Sequence, residues 1–240
     1  MEFSDVLRQR RSIRAFSDQV VPDELVRALL EESLASPSWS NTQPYKIGVL
    51  SGADVAPLGR ELTERFHRLM KIQRQKGVKR LLAAWRDRGA LPDGDFRPVV
   101  QYPADLQPRR VATGHGLYEL LGIARGDKAA RDEQMARNFS FFDAPVVLFL
   151  FAHKGLGVYS ALDAGIFLQS LMLAAANRGL GTCAQGALGL WRSPVAARFD
   201  IPEPYQLLCG VALGYPAPDA PINRFQPPRV GLEELLLPRA

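Results

Sequence analysis

The stretch Pro145-Val146-Val147-Leu148-Phe149-Leu150-Phe151-Ala152 decides the fold of this chain. It is continuously apolar and rich in β-branched and aromatic residues, which predicts a strand buried on both faces. The segment from Tyr159 to Arg178 then places apolar residues nearly all round a predicted helix. Such a helix needs neighbours on several sides, so we expect it at the centre of the domain or at a subunit interface.

Two more strands and several helices surround this pair of elements. Residues 45–50 and 206–214 have the short apolar pattern of strands. Helices are predicted over residues 20–36, 60–88, 111–126 and 127–142. Prolines and turn residues between 89 and 110 predict a loop. With few strands among many helices in mixed order, the chain is predicted to form one α+β domain over residues 1–240.

The C-terminal segment, from about residue 215, is rich in proline and poor in core-forming residues. An extended segment of this kind does not hold itself together. We therefore expect this tail to lie on another surface.

The charge of the chain is concentrated in one strip. The net charge is +5, and between Arg65 and Arg88 nine lysines and arginines accompany a single acid, Asp87. Such a strip could bind nucleic acid or attract small anions. It lacks the interleaved aromatic residues of a base-stacking surface, so a solvated helical face is favoured. A basic nucleic-acid-binding protein stays open as a distant alternative.

The N-terminal residues and the two cysteines indicate the cellular compartment in which we expect the protein. Glu2 and Asp5 stand where a signal peptide would be basic. The sequence contains no uncharged run of about 18 apolar residues, so we expect no membrane-spanning helix. Cys183 and Cys209 lie in apolar sequence, which favours buried thiols in a reducing cytoplasm over a disulfide. We expect a cytoplasmic protein without a membrane partner.

The N-terminal run Arg10-Arg11-Ser12-Ile13-Arg14 places three guanidiniums and a hydroxyl within one short turn. A guanidinium binds phosphate in a bidentate manner and keeps its charge at neutral pH. Cations this close together repel one another, and a bound anion would hold them. Taken alone, a solvated basic turn is an equally good interpretation.

Two further segments are rich in groups that could contact a ligand. Ser38, Ser40, Asn41, Thr42 and Gln43 offer donors and acceptors between a predicted helix and strand. The segment 179–189 contains glycines that let the backbone approach a flat ligand. Turn formation and helix capping explain both patterns equally simply.

Catalytic side chains are not indicated by the sequence. Asp163 interrupts an apolar helix and is better explained as hydrogen-bonded to a neighbouring loop. His67, His115 and His153 lack metal-ligand spacing, and no motif for acyl transfer or a Walker-type phosphate loop is present. A phosphate anchor without these groups suggests a cofactor that brings its own chemistry.

Five motifs in this order resemble the flavin-dependent nitroreductase family. They are Arg-x-Ser-x-Arg at residues 10–14, Ser-Pro-Ser-x-x-Asn-x-Gln-Pro at 36–44, Gly-Leu-Gly-Thr at 179–182, Gly-Tyr-Pro at 214–216 and the late Arg224. The resemblance implies an α+β homodimer with a central mixed sheet surrounded by helices. It also implies two FMN sites in the subunit interface, a C-terminal tail wrapped round the partner, and a variable cap around residues 55–135.

The same resemblance implies roles for particular residues. Arg10, Ser12, Arg14 and Arg224 would contact the FMN phosphate and ribityl chain, and Arg11 stands where such proteins often have His or Arg. Pro37, Ser38, Asn41 and Gln43 would lie beside the flavin, some of them from the partner subunit. Gln185 and Gly186 would meet the flavin N5 edge. Trp39 and Ser40 would line the substrate pocket, where a bulky Trp39 narrows the pocket or stacks on a planar substrate.

The implied activity is an FMN-dependent NAD(P)H oxidoreductase. NADH or NADPH would deliver hydride to flavin N5, and an electron-poor aromatic acceptor such as a nitroaromatic, or a quinone, would be reduced next in a ping-pong cycle. No catalytic side chain is expected, because the flavin carries the chemistry. Reductive dehalogenation or enone reduction stays open as an alternative on the same scaffold.

Overall fold

A computed structural model describes residues 1–239 and consists of nine helices and four strands in that range. In chain order the helices are α1 (Phe3–Gln9), α2 (Asp23–Ser33), α3 (Val55–Gln73), α4 (Gly77–Arg86), α5 (Gln107–Leu120), α6 (Lys128–Ala136), α7 (Val158–Asn177), α8 (Arg192–Ala196) and α9 (Leu232–Leu235). The strands are β1 (Tyr45–Ser51), β2 (Val146–His153), β3 (Gly181–Gln185) and β4 (Tyr205–Gly214).

The four strands form one sheet in the order β1-β2-β4-β3, and every pair of neighbouring strands is antiparallel. The expected mixed sheet is therefore wrong for the described strands. Parallel pairing is limited, within residues 1–239, to an isolated bridge between Ser12 and Thr182. The predicted central strand is confirmed, since β2 lies between two neighbours and residues 146–152 are buried throughout.

Strand β3 was not predicted as a strand. Its sequence, Gly-Thr-Cys-Ala-Gln, is short and begins with glycine, so local propensity gives little β signal. It forms because Gly181 to Gln185 pair with Gly214 to Gly210 on β4. Its outer edge receives the N-terminal segment, where the backbone N–H of Ile13 donates to the Thr182 carbonyl at 2.9 Å.

Helices cover both faces of the sheet. Helices α2 and α7 enclose one apolar core, and α3 encloses the other with fully buried Leu58 and Leu62. The single helix predicted over residues 60–88 is instead two helices, α3 and α4. The helical path is interrupted before Gly77, the first residue of α4, whose φ of +52° favours glycine.

Helix α7 is only partly buried in this chain. Its buried side, including Phe167 and Leu171, packs against the sheet and α2, whereas Leu162 is 56% exposed and Val158 is 74% exposed. By length and composition α7 could cross a membrane although it contains Asp163, so the expectation that no helix could span a membrane is not confirmed. Core helices of soluble proteins pass the same test.

The region 55–135 does not form one unit. Helix α3 belongs to the core, and the segment after it is tied to the body of the domain by Asp95, which accepts from the backbone N–H of Leu207 at 2.7 Å. Helix α4, by contrast, buries none of its residues. The tail contacts α5 of its own chain through Phe225, which packs against Gly116.

Candidate cofactor site

The arginine turn of residues 10–14 lies at the free edge of β3. Arg10 follows α1, and its N–H donates to the Val6 carbonyl at 2.9 Å. Ile13 packs so closely on Gly181 that a Cβ there would come within 2.6 Å of Ile13 Cγ1. Glycine at position 181 is therefore required for this approach, and it places the turn against the sheet.

Asn223 fixes the turn from the other side. Its Oδ1 accepts from the backbone N–H groups of Arg14 (2.9 Å) and Ala15 (3.1 Å), and its Nδ2 donates to the carbonyl of Ala15 at 2.8 Å. The side chain is buried, so these hydrogen bonds are shielded from water. Arg224 is thereby placed one residue from a direct contact to the turn.

A cleft of about 230 Å³ opens beside the turn and is lined by several cations. Arg10, Arg11, Ser12 and Arg14 line it, together with Arg229. The Nε of Arg11 is buried without a hydrogen-bond partner in the described chain. An unpartnered buried guanidinium nitrogen is costly, and the clustered cations of the cleft would pair with an anionic group. The cleft therefore fits a phosphate group.

Gln185 and Gly186 lie at the far end of β3 from the point where the turn is attached. Gln185 is buried, its Nε2 donates to the Asn138 carbonyl at 2.8 Å, and its Oε1 has no partner in the described chain. Gly186 is exposed, and a Cβ at this position would meet no atom within 4 Å. Open space beside an exposed backbone suits a flat ligand.

The polar turn of residues 37–43 is held in an unusual conformation. Ser40, Asn41 and Gln43 have φ values of +48°, +56° and +41°. Such angles cost about 1 kcal/mol or more each in residues other than glycine and are typical of functional sites. Ser38 supports the turn, since its Oγ accepts from the backbone N–H of Gln43 at 2.9 Å.

Asp163 anchors the same turn to α7. Its two carboxylate oxygens accept from the Trp39 N–H at 3.1 and 3.0 Å, which confirms the prediction of a hydrogen bond to a neighbouring loop. The Trp39 ring is 53% exposed and lies 4.4 Å, centroid to centroid, from the ring of Tyr159. Trp39 thus offers an open aromatic surface.

The polar turn and the arginine turn lie at opposite ends of α7 in one chain. Asp163 holds the polar turn, whereas Ala176 lines a cavity together with Arg10 and Arg11. Asp163 and Ala176 are thirteen positions apart on α7, which corresponds to about 20 Å at the helical rise of 1.5 Å per residue. One chain therefore does not bring the two predicted halves of the site together.

The thiols near the site are neutral. Burial raises the pKa of Cys183, and Arg14 and a hydrogen bond with Ser12 oppose this shift. Burial raises the pKa of Cys209 to about 11. Both cysteines are free and buried, as the sequence predicted. Within residues 1–239 no cluster of three or more His, Cys, Asp and Glu side chains could hold a metal ion.

Three residues of this region were missed by the sequence analysis: Asn138, Asn223 and Arg229. Asn138 and Asn223 act through hydrogen bonds to residues far away in sequence, which no local pattern reveals. Arg229 was visible as a second arginine in the proline-rich tail, five residues after Arg224.

A helix-covered antiparallel sheet with a cation-lined cleft at its edge defines an α+β protein whose cleft has the charge to accommodate an anionic group. Comparison with known families makes this more specific. Residues 7–215 match the model of the Nitroreductase family, and the chain belongs to that family.

Individual relatives agree with this assignment. The chain is 32% identical to nitroreductase NfnB of Mycolicibacterium smegmatis over 229 residues, covering 95% of this chain and 89% of the relative. It is also 32% identical to 4-nitrobenzoate reductase of Pseudomonas putida over 232 residues, covering 95% and 91%. The crystal structure of the FMN-dependent nitroreductase NfnB from Mycobacterium smegmatis, in complex with NADPH, matches with a TM-score of 0.82 and 31% identity, covering 99% of this chain and 97% of that one.

Proposed function

We propose that this chain is an FMN-dependent NAD(P)H oxidoreductase that reduces nitroaromatic compounds. The observation that carries the proposal is the buried, unpartnered Nε of Arg11 beside the cation-lined cleft. Relatives with the same fold include an FMN-dependent nitroreductase in complex with NADPH and a 4-nitrobenzoate reductase. FMN has a phosphate that fits the cleft, and its ring system is flat.

In this proposal Arg10, Arg11, Ser12 and Arg14 bind the phosphate and the adjoining hydroxyl groups, while Arg224 and Arg229 add positive charge from the tail. The N–H groups around Gln185 and Gly186 face the flavin ring. When bound, FMN supplies the redox chemistry, accepting hydride from NADH or NADPH and passing it to an acceptor in a ping-pong cycle. The protein contributes orientation and exclusion of water rather than proton transfer.

A homodimer would complete this site. A stripe on α7 consists of the exposed residues Val158, Leu162, Gly165 and Gln169 and the half-buried residues Met172 and Ala176. The alternating spacing of four and three residues is typical of a helix that packs along a second helix. A twofold axis near the middle of α7 would place the partner's copy of the polar turn beside this chain's arginine turn. Pro37, Ser38, Asn41 and Gln43 would then reach the flavin from the other subunit, and the tail would extend over the partner.

The acceptor is proposed to stack on the exposed ring of Trp39, beside Ser40. Trp39 is held by Asp163 and Tyr159, so it presents a fixed aromatic surface rather than a mobile one. A planar aromatic acceptor fits such a surface, and so does a quinone, which is also planar and electron-poor. The free thiols agree with a reducing, cytoplasmic location.

Three of the nine cations of the basic strip form ion pairs. Arg65 bonds to Glu61, Arg68 to Asp87, and Arg74 to Asp132. This pairing favours a solvated surface and gives little support to a nucleic-acid-binding protein.

The experiment that tests the function follows the flavin spectrum. The purified protein should be yellow, lose its flavin absorbance when NADPH is added without oxygen, and regain it when 4-nitrobenzoate is added. A colourless protein that takes up no FMN would overturn the proposal. Acceptors for dehalogenation and enone reduction, tested in the same anaerobic assay, decide between nitroreduction and the alternative flavin chemistry.

A further inference from the structure

A cavity of about 820 Å³ lies on the α3 side of the sheet, away from the proposed cofactor site. Its walls are the polar side of α3 and the turn of residues 140–145. Helix α3 and helix α7 belong to separate apolar cores on opposite faces of the sheet. No residue of the arginine turn or the polar turn lines the cavity, so it is a second, independent site.

The cavity is built by a close approach between α3 and the turn. Gly59 faces the turn, and a Cβ there would lie 3.3 Å from the Phe141 ring. Phe141 itself has a φ of +57°, and Phe142 and Asp143 also have positive φ values. Three consecutive residues in this conformation are costly, so the shape of this wall is strongly determined by its surroundings. Val55, Ala56 and Pro145 give the cavity an apolar side.

A stripe of ionisable residues runs along the α3 wall. Arg60, Glu64, His67 and Lys71 are spaced by four, three and four residues, which places them on one side of the helix. The charges next to this stripe are neutralised in part. Arg68 pairs with Asp87, and Asp143 pairs with Arg137 at 3.0 Å.

Arg60 is the cation left for a ligand at the apolar end. It makes no ion pair among the described residues, and helical side chains point toward the N-terminus, here toward Ala56. The hydrogen bond with Asp87 and, as a smaller cause, the charge of Glu64 raise the pKa of Arg68. An anion beside Arg60 therefore meets a cation that forms no ion pair within residues 1–239.

Thr63 supplies a second polar group at the same place. It lines the cavity one turn from Arg60, and its Oγ1 is buried without a hydrogen-bond partner in the described chain. Buried hydroxyl groups are almost always paired, so an unpaired one in a cavity wall calls for a ligand or an ordered water. Its hydroxyl can donate to a carboxylate oxygen.

We propose that this cavity binds a small aromatic carboxylate. The carboxylate pairs with the guanidinium of Arg60 and accepts from the Thr63 hydroxyl, and the aromatic ring lies on Val55, Ala56 and Pro145. A single negative charge matches the single free cation at this end. The apolar side favours an aromatic body over a small polar anion.

The test uses 2-naphthoate and its uncharged analogue 2-naphthamide, titrated calorimetrically into the FMN-loaded protein. We expect one 2-naphthoate per chain and at least tenfold weaker binding of the amide. Arg60→Gln should weaken 2-naphthoate binding by about tenfold or more, and Thr63→Val by about threefold to tenfold. Arg125→Gln, which removes an exposed charge outside the cavity, should bind like the unchanged protein.

The flavin absorbance distinguishes this site from the proposed active site. Binding in the α3 cavity should leave the flavin spectrum unchanged and should not compete with a nitroaromatic acceptor. The proposal is overturned if 2-naphthoate does not bind at millimolar concentration, if it binds equally to all variants, or if it competes with the acceptor. Thr63→Val, a nearly isosteric change, decides the outcome if Arg60→Gln does not fold.

Discussion

The side chain of Asn223 holds the backbone of Arg14, because its Oδ1 accepts the Arg14 N–H at 2.9 Å across 209 residues of sequence. The same amide also bonds to Ala15 in both directions. The tail and the N-terminal turn are thus joined by one buried residue. Arg14 and Arg224, which come from opposite ends of the chain, depend on it for their relative position.

Replacing Asn223 by alanine should therefore weaken FMN binding without removing any cationic group. Loss of a buried amide leaves the Arg14 and Ala15 N–H groups unpaired, at a cost of about 1–3 kcal/mol. We expect FMN affinity, measured by quenching of flavin fluorescence, to fall by about tenfold. Asn223→Asp keeps the acceptor and should retain more affinity than the alanine variant. Equal affinity in all three proteins would contradict a positioning role.

The arginine turn should recognise the phosphate specifically. Arg10→Ala and Arg14→Ala should each weaken FMN binding by about 1.5–3 kcal/mol, as expected for a lost hydrogen bond to a charged group. Binding of riboflavin, which lacks the phosphate, should change much less. Arg27→Ala removes an arginine on α2 that pairs with Glu31 and serves as the control. A parallel loss for both ligands would place the phosphate elsewhere.

Sequence reasoning succeeded where the signal was local. The apolar run at 145–152 predicted β2, and the all-apolar segment predicted α7 within about a residue at each end. It failed where pairing decided the structure. Strand β3 exists through its ladder with β4, and the antiparallel order of the sheet depends on contacts between distant segments. The break between α3 and α4 depends on one glycine in a helical pattern.

The candidate site shows the same division. The arginines were visible as a charge cluster, and the helical Asp163 was correctly explained by a loop contact. Asn223 and Asn138 were invisible, because single asparagines act through tertiary hydrogen bonds. The sequence did not predict that the polar turn and the arginine turn lie far apart, because their separation depends on where each packs along α7 in the folded chain.

Strain in the polar turn predicts opposite effects for two serines. Ser40 has a φ of +48°, so Ser40→Gly should raise stability by about 1 kcal/mol, or a melting temperature increase of about 2–4 °C. Ser38 has an extended backbone, and its hydroxyl accepts from Gln43. Ser38→Gly should therefore lower the melting temperature. Thermal unfolding of both variants checks the sign, and a shared direction would argue against strain at Ser40.

Burial of Cys209 predicts a loss of stability at high pH. Its pKa is raised from the ordinary value of 9.0 to about 11 in the folded chain, so the unfolded chain releases this proton first. The contribution of the neutral Cys209 thiol to the free energy of unfolding is fully present below pH 9 and declines by about 2–3 kcal/mol as the pH rises to 11. Urea unfolding at pH 8 and pH 10.5 measures it. Cys209→Ala should show a smaller pH dependence than the unchanged protein, since other alkaline groups titrate in both.

A charged substitution in the α7 stripe should abolish dimerisation and cofactor binding together. Leu162 is 56% exposed and is the second residue of the stripe, so Leu162→Glu would bury a charge in the proposed interface. Sedimentation velocity should show a monomer, and the purified protein should carry little FMN, because the partner's polar turn no longer completes the site. Val20→Glu changes a residue that is 76% exposed and is not part of the α7 stripe, so it should remain dimeric and yellow. A monomeric Leu162→Glu variant that kept full FMN affinity would show that each chain binds its flavin alone.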